Sequence, residues 1–330
     1  MTHRYHLLLA CAIAMTLLLL RQPQLVSIRD ATQEPQLVVG AHTGRRPPLQ
    51  TVHVAGVSTP TALGPLQAMF ERTAGSRRAT RPSAAAVVVM VANAGQGILL
   101  QNFACQADRL GFDWKNSTLL YTLDNRTSRW AAHFGVPHHQ PENVSLPRAA
   151  AVFSDAQFKA IVFWKSAAVH DALQMEIPNV LCQDIDVVWR EDPRVWFAAA
   201  DPSVDMFWSY DGGSRQQQPL YVNSGFIYIR NTARSRAFWR EMFLNAHLHS
   251  TQQGLAETVL THHIFNNDLR IAVLDDRFAN GHLLGLTSHK VPADYIVAHA
   301  SWTYNMTNKI PKLRQLGMWA PGCLSGPAAF

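Results

Sequence analysis

Two carboxylates separated by one residue, Asp184 and Asp186, are the side chains of this sequence whose types and spacing best suit chemistry. They follow a short apolar run, residues 179–182, which predicts a buried strand. Side chains two residues apart on extended backbone point to the same side, so both carboxylates are expected to face one ligand while Ile185 packs the other way. Oxygen donors at the carboxyl end of a strand suit a hard divalent cation such as Mn²⁺ or Mg²⁺.

The residues that follow the acidic pair add to the specificity of the pattern. Val187-Val188-Trp189 follows the acidic pair directly. Asp192 is then a predicted helix N-cap, and Pro193 is the predicted first residue of the helix. An Asp-x-Asp tripeptide is common, and alone it is more often the end of a strand and the start of a turn. The apolar strand and the capped helix start on either side make this pair far more specific.

The elements that must position the pair alternate between strand and helix. Residues 85–91 form a continuous apolar run rich in β-branched valine. A glycine-containing loop follows at residues 93–97, and apolar residues then recur at helical spacing until Gly111. A second predicted strand, residues 118–123, ends at Asp124 and precedes a helix that stops at Gly135. Further strands are predicted at residues 204–210, 221–230 and 270–274, and helices at residues 158–173 and 237–244. This alternation predicts an α/β fold.

The stretch around the acidic pair resembles the signature of the nucleotide-diphospho-sugar transferase family, whose plant members include cell-wall xylosyl- and arabinosyltransferases. The family pattern Asp-x-Asp-Val-Val-Trp-x-x-Asp-Pro is matched at Asp184, Asp186, Val187, Val188, Trp189, Asp192 and Pro193. Similar blocks extend over about residues 85–320. The resemblance implies a GT-A fold, which is a Rossmann-like mixed sheet flanked by helices, together with a nucleotide-sugar donor and a divalent metal, Mn²⁺ or Mg²⁺.

The resemblance also assigns candidate binding residues. A histidine after the last predicted strand, His299, becomes a third metal ligand beside Asp184 and Asp186. The nucleotide-sugar is assigned to Asn93, Asp124, Asp184 and Lys309. Alternatives remain open, because Asp124 also suits a helix N-cap, His299 a packed histidine and Lys309 a surface lysine. Lys165 matches a position where the family often has a basic residue, but we interpret it as a surface lysine with a buried stem.

Three candidate catalytic residues come from two further blocks. Asn223 begins an Asn-Ser-Gly-Phe block in which Gly225 predicts a close backbone approach, and the family places this asparagine beside the donor sugar; a turn before a core strand is the alternative. Gln252 stands where the family usually has an aspartate, and Gln253 matches the family's glutamine. An amide can donate and accept hydrogen bonds but cannot act as a base. This departure brings the acceptor chemistry, or activity itself, into question.

The chain divides by composition into five segments. Residues 1–6 are short and basic, and the apolar run at residues 7–20 predicts a signal anchor with its positive end in the cytoplasm. A cleaved secretory signal is the alternative. Residues 21–83 predict a disordered stem, residues 84–320 the transferase domain and residues 321–330 a C-terminal tail. The net charge of +6 lies entirely in residues 1–83, which argues against a nucleic-acid partner for the domain.

Cysteines and glycosylation sequons indicate the compartment. Outside the predicted anchor there are three cysteines, so at most one disulfide forms among them, and Cys182 in the predicted core strand is expected to be a buried thiol. Asn-x-Ser/Thr sequons stand at Asn116, Asn125, Asn143 and Asn305. Together with the anchor, they predict a single-pass type II protein of the Golgi membrane with a lumenal domain.

The expected activity is that of a metal-dependent transferase that retains the anomeric configuration, as the resemblance implies. Its donor would be a UDP-pentose or UDP-galactose, and its acceptor a glycan or a glycoprotein. Two alternatives come from other classes. One is a catalytically inactive family member that acts as a scaffold or partner of an active transferase, which Gln252 motivates. The other is a secreted glycan-binding module, against which the metal signature argues.

Overall fold

The computed structural model describes residues 86–142, 156–175, 177–212, 221–246, 252–285, 291–303 and 306–323. The predicted anchor at residues 7–20 and the predicted stem at residues 21–83 lie outside these ranges. Within the described ranges, no helix combines the length and the apolar character needed to span a bilayer.

Among the described residues, ten strands form two sheets. The strands are β1 Ala86–Ala92, β2 Thr118–Thr122, β3 His138–His139, β4 Asn179–Gln183, β5 Val187–Trp189, β6 Met206–Tyr210, β7 Val222–Arg230, β8 Ile271–Val273, β9 Phe278–Ala279 and β10 Val297–His299. The larger sheet has the order β3-β2-β1-β4-β7-β6-β8, and β7 alone runs antiparallel to its neighbours. The smaller sheet has the order β5-β10-β9. The prediction of a mixed α/β fold is therefore confirmed.

Helices alternate with the strands along the chain. They are α1 Gly97–Arg109, α2 Trp114–Ser117, α3 Asn125–Phe134, α4 Ala156–Gln174, α5 Pro193–Ala199, α6 Ala233–Asn245, α7 Gln252–Asn266, α8 Gly281–Gly285 and α9 Met306–Gln315. Helix α3 ends at Gly135, whose φ of 71° is the left-handed conformation that favours glycine. Helix α5 begins, as predicted, with the Asp192 side chain accepting a hydrogen bond from the Arg194 amide and with Pro193 at its first position.

The large sheet separates two apolar layers. Along β1, Val88 and Met90 face a layer that includes α1, whereas Val87 and Val89 face the layer that includes α4 and α6. This alternation follows from the period of two in a strand. Because both faces are covered by helices, the strand is apolar along its whole length, which is why β1 could be located from sequence.

A disulfide and two hydrogen bonds connect the C-terminal segment to α1. Cys105 of α1 forms a disulfide with Cys323, which lies in a short 3₁₀ helix, Pro321–Cys323. Near it, the Asn102 side chain donates to the Met318 carbonyl at 3.0 Å and accepts from the Ala320 amide at 2.7 Å. The sequence allowed one disulfide without specifying the pair and assigned Cys323 to a tail, whereas the structure bonds this residue to the domain.

Candidate metal and nucleotide-sugar site

Asp184 and Asp186 lie in a turn between β4 and β5. The Val187 amide donates to the Asp184 carbonyl at 3.2 Å, so the backbone is not extended there, and the expectation of an extended Asp-x-Asp is wrong. The other parts of that expectation hold, because Ile185 is buried and both carboxylates face the same histidine. The Asp184 side chain is 37% exposed, whereas that of Asp186 is 2% exposed. One carboxylate is therefore open to a ligand and the other is enclosed.

The pairing of β5 with β10 brings His299 to the two carboxylates. The antiparallel register places His299 opposite Val187, one residue after Asp186. The Ala300 amide fixes the end of this pairing by donating to the Asp186 carbonyl at 3.2 Å. His299 Nε2 then lies 3.6 Å from Asp184 Oδ2 and 3.4 Å from Asp186 Oδ1. The Val-Val-Trp of the signature thus forms the strand that positions the distant histidine.

Gly225 makes room for the histidine ring. The Asp184 amide donates to the Gly225 carbonyl at 2.8 Å, which holds the start of β7 against the acidic turn. A Cβ at Gly225 would lie 2.0 Å from His299 Cε1, far inside van der Waals contact. The close backbone approach predicted from the Asn-Ser-Gly-Phe block is therefore confirmed, and its neighbour is His299.

Each carboxylate pairs with a lysine through the oxygen that does not face His299. Lys165 Nζ from α4 lies 2.5 Å from Asp184 Oδ1, and Lys309 Nζ from α9 lies 2.5 Å from Asp186 Oδ2. The surface interpretation of Lys165 is wrong, because its side chain is only 7% exposed. Burial alone would raise the pKa of Asp186, but the Lys309 ammonium and the His299 ring outweigh it and hold that pKa below its usual value. Asp186 is therefore a carboxylate at neutral pH.

The remaining donor atoms suit a divalent cation. Asp184 Oδ2, Asp186 Oδ1 and His299 Nε2 converge, and one ligand atom from each of the three residues lies within 4.8 Å of the other two. Two carboxylate oxygens and one imidazole nitrogen form a set that suits Mn²⁺, and carboxylate oxygens also suit Mg²⁺. Because the lysines occupy the other carboxylate oxygens, they orient the acids without taking these three atoms. The predicted metal ligands are thus brought together.

The residues assigned to the nucleotide lie at the carboxyl ends of β1 and β2. Asn93 follows β1 and is fully buried. Asp124 follows β2, where it accepts from the Arg126 and Thr127 amides as the N-cap of α3 and from the Ala94 amide at 2.6 Å. Of the two interpretations left open for Asp124, the structure shows the cap. This carboxylate also holds the loop after β1, which carries Asn93.

Of the three candidate catalytic residues, Asn223 is the one whose side chain lies in the described part of the structure. Asn223 Nδ2 donates to Asp211 Oδ1 at 2.5 Å, and Asn223 Oδ1 accepts from the Gly225 amide at 2.6 Å. Its amide thus fixes the backbone beside His299. Gln252 and Gln253 begin α7, but their side chains lie outside the described part of the structure, and their roles stay predictions.

Sequence reasoning missed Asp211. This buried aspartate follows β6 directly and accepts hydrogen bonds from Asn223 and, at 2.9 Å, from Trp302 Nε1. A signal was present, since Asp211 comes just after a predicted strand in the same way that Asp184 follows β4. The rule that parallel strands carry functional groups at their carboxyl ends would have selected it.

Known structures resemble the chain at low sequence identity. The glycosyltransferase GlyE of Streptococcus pneumoniae is 12% identical with a TM-score of 0.46; the match covers 73% of this chain, which spans only 61% of the length of GlyE. The galactosyltransferase LgtC is 16% identical with a TM-score of 0.40, over 73% of this chain and 97% of LgtC. Mouse xyloside xylosyltransferase 1 is 13% identical with a TM-score of 0.41, and the match covers 67% of this chain and 99% of the mouse protein chain. No curated protein matches the chain.

The family follows from the sequence itself. The sequence model of the nucleotide-diphospho-sugar transferases matches residues 115–313, more than half of the 330 residues. The matched region contains the acidic turn, the strand that ends at His299, and Lys309. The chain therefore belongs to the nucleotide-diphospho-sugar transferase family.

Proposed function

We propose that this protein is a metal-dependent, retaining glycosyltransferase that moves a pentose or galactose from a UDP-sugar to a glycan or glycoprotein. The observation that carries the proposal is the convergence of Asp184 Oδ2, Asp186 Oδ1 and His299 Nε2 in a chain of this family. These atoms lie beside the carboxyl end of β4, where ligands bind in open α/β sheets.

The side chains around this convergence suit a sugar-nucleotide diphosphate. Asp184, Asp186 and His299 would hold Mn²⁺ or Mg²⁺, which when bound stabilises negative charge on the departing nucleotide. Lys165 and Lys309 add two fixed positive charges at the same place. Because three of these five side chains are less than a tenth exposed, they keep their positions without solvent reorganisation when charge develops.

The family retains the configuration at the anomeric carbon, and we propose the same for this chain. Front-face attack guided by the departing phosphate requires no protein nucleophile, so the chain's task is to position the two substrates. Asn223 contributes by holding the Gly225 backbone beside His299, since both ends of its amide are hydrogen-bonded. Gln252 and Gln253 are proposed to contact the substrates from the start of α7.

A screen of UDP release tests the proposal. The purified protein is assayed with a panel of UDP-sugars in Mn²⁺ and again with a chelator, and Mn²⁺ binding is measured separately by calorimetry. Asp184→Asn and Asp186→Asn keep the side-chain shape but remove the charge. We expect both to lower Mn²⁺ affinity by ~100-fold and to abolish release, because each replaces an anionic carboxylate ligand with a neutral amide.

Asp275→Asn is the matched control. Asp275 is an exposed aspartate that pairs with Arg277 and is not one of the three converging ligands, so its loss should leave Mn²⁺ affinity and UDP release unchanged. If the wild-type protein binds neither Mn²⁺ nor any UDP-sugar, the proposal is wrong. Mn²⁺-dependent UDP affinity without turnover would instead identify an inactive family member, the alternative that Gln252 motivates.

We also propose that the protein resides in the Golgi membrane as a type II protein with a lumenal domain. The Cys105–Cys323 disulfide supports an oxidising compartment, and the exposed Asn125 offers a sequon at the surface. Protease added to sealed microsomes should spare the domain until detergent is present. Digestion without detergent would contradict a lumenal location.

A further inference from the structure

We propose that Trp302 is the aromatic platform on which a sugar ring of the acceptor stacks. All nine tryptophans of the chain lie in the described part, and Trp302 is the one that is largely exposed, at 55%. This inference rests on the proposed function, because it concerns the second substrate of the same site. Three features of Trp302 support it: the fixed position of the indole, the strain in its backbone and its place along the sheet.

Hydrogen bonding fixes the exposed indole. Trp302 Nε1 donates at 2.9 Å to Asp211 Oδ1, which also accepts from Asn223. Asn223 in turn accepts from the Gly225 amide, and Gly225 abuts His299. The indole is therefore connected to the candidate metal ligands through two side chains. The His282 ring lies against the indole at a tilt, with 5.3 Å between the ring centroids. Because the indole is still more than half exposed, part of its surface remains accessible, and a carbohydrate ring offers an apolar face that fits an aromatic surface.

The backbone of Trp302 carries a strain that its surroundings maintain. Its φ is 57°, in the left-handed region that is sterically unfavourable for a bulky residue. The preceding residue is held in place, because Ser301 Oγ accepts from the Gly281 amide at 2.8 Å and the Ser301 carbonyl accepts from Lys312 Nζ at 3.5 Å. Such strain in a tightly held loop is typical of ligand sites.

The sheet places Trp302 on the side where the acceptor would lie. Along the carboxyl edge of the parallel strands, the order β2-β1-β4-β7-β6 gives the sequence Asp124, Asn93, Asp184, Asn223, Asp211. A nucleoside over β1 and β2 with its diphosphate at β4 directs the transferred sugar towards β7 and β6. Neighbouring strands are ~4.8 Å apart, so the end of β6, where Asp211 holds the indole, lies ~10 Å from β4. The indole therefore belongs to the end of the edge towards which the transferred sugar would be directed, two strands along from the metal ligands.

Kinetics with two substrates test the assignment. Wild type, Trp302→Ala and Trp302→Phe are compared with the UDP-sugar found by the release screen and with methyl xyloside, methyl arabinoside and methyl galactoside as acceptor probes. We expect Trp302→Ala to raise the acceptor KM ~10-fold and Trp302→Phe, which keeps an aromatic face, to stay within ~2-fold. The donor KM should change less than ~2-fold in both. A rise confined to the donor KM, or equal acceptor KM values in all three proteins, would overturn the proposal.

Phe265→Ala is the matched control, because Phe265 is 79% exposed on α7 and belongs to no part of the site described above. It should leave both KM values unchanged. Acrylamide quenching of tryptophan fluorescence then separates this proposal from the proposed function. The methyl glycosides should protect wild-type fluorescence but not that of Trp302→Phe, even if no UDP-sugar is turned over. Quenching of the wild type that none of the glycosides alters would contradict the stacking platform.

Discussion

Replacing Gly225 with alanine should displace His299 and remove it from the metal site. The added Cβ would lie 2.0 Å from His299 Cε1 and 2.7 Å from His299 Nδ1. Carbon atoms pack at about 3.5 Å, so the ring must retreat by roughly 1.5 Å. Metal–ligand distances tolerate about 0.2 Å. We therefore expect Gly225→Ala to weaken Mn²⁺ binding at least ~100-fold and to lower the free energy of unfolding by about 1–3 kcal/mol through overpacking.

Calorimetric Mn²⁺ titration and urea unfolding measure the two effects. Gly322→Ala is the matched control, because an added Cβ there meets no atom within 4 Å, and it should change neither quantity. A double-mutant cycle then locates the clash. In a His299→Ala background the stability cost of Gly225→Ala should fall, since the ring it strikes is gone, and the remaining cost comes from Asn223 Oδ1, 2.7 Å from the added Cβ. Mn²⁺ affinity of Gly225→Ala within twofold of wild type, or an undiminished cost in the His299→Ala background, would refute the reasoning.

Three further predictions concern stability and thiol chemistry. Cys105→Ser should lower the free energy of unfolding by about 2–5 kcal/mol in urea titrations, because the disulfide to Cys323 joins residues 218 apart; unchanged stability would argue against this disulfide. Burial raises the pKa of the Cys182 thiol to about 12, so it should resist alkylation at pH 8 until urea unfolds the protein, as mass spectrometry can check. Burial alone would raise the pKa of Asp205, but the Arg234 guanidinium and other donors outweigh it, so the folded pKa lies below the unfolded value of about 3.9. The loss of stability in Asp205→Asn should be constant above about pH 5 and shrink as the pH falls below about 4, measured by urea unfolding; a loss that grows on acidification would contradict it.

The parts of the fold that sequence reasoning located are those with strong local signals. Strand β1 is apolar throughout, and α3 lies between the cap at Asp124 and the left-handed Gly135. The short strands β5 and β9 were not predicted, and β10 was expected only as the strand before His299. Each has two or three residues, too few to show a period. The pairing of β5 with β10 joins segments about a hundred residues apart, and that of β9 with β10 joins segments about twenty residues apart.

The same contrast between local signals and long-range contacts holds for the candidate site. Asp184 and Asp186 were evident because their signature is contiguous, whereas Lys165 was misassigned to the surface. The burial of a lysine on a helix depends on what packs over it, and here an acid from another segment does so. Asp211 was missed because its partners, Asn223 and Trp302, are 12 and 91 residues away.

The sequence by itself determined the α/β class, the family and the acidic pair at the end of β4, because each is encoded by neighbouring residues. Only the tertiary structure decided that His299 meets both carboxylates, that Gly225 leaves space for its ring and that an exposed tryptophan is held beside the site. The physical reason is that these contacts depend on strand register and on the folding of distant segments against one another. No local pattern of residues encodes either of them.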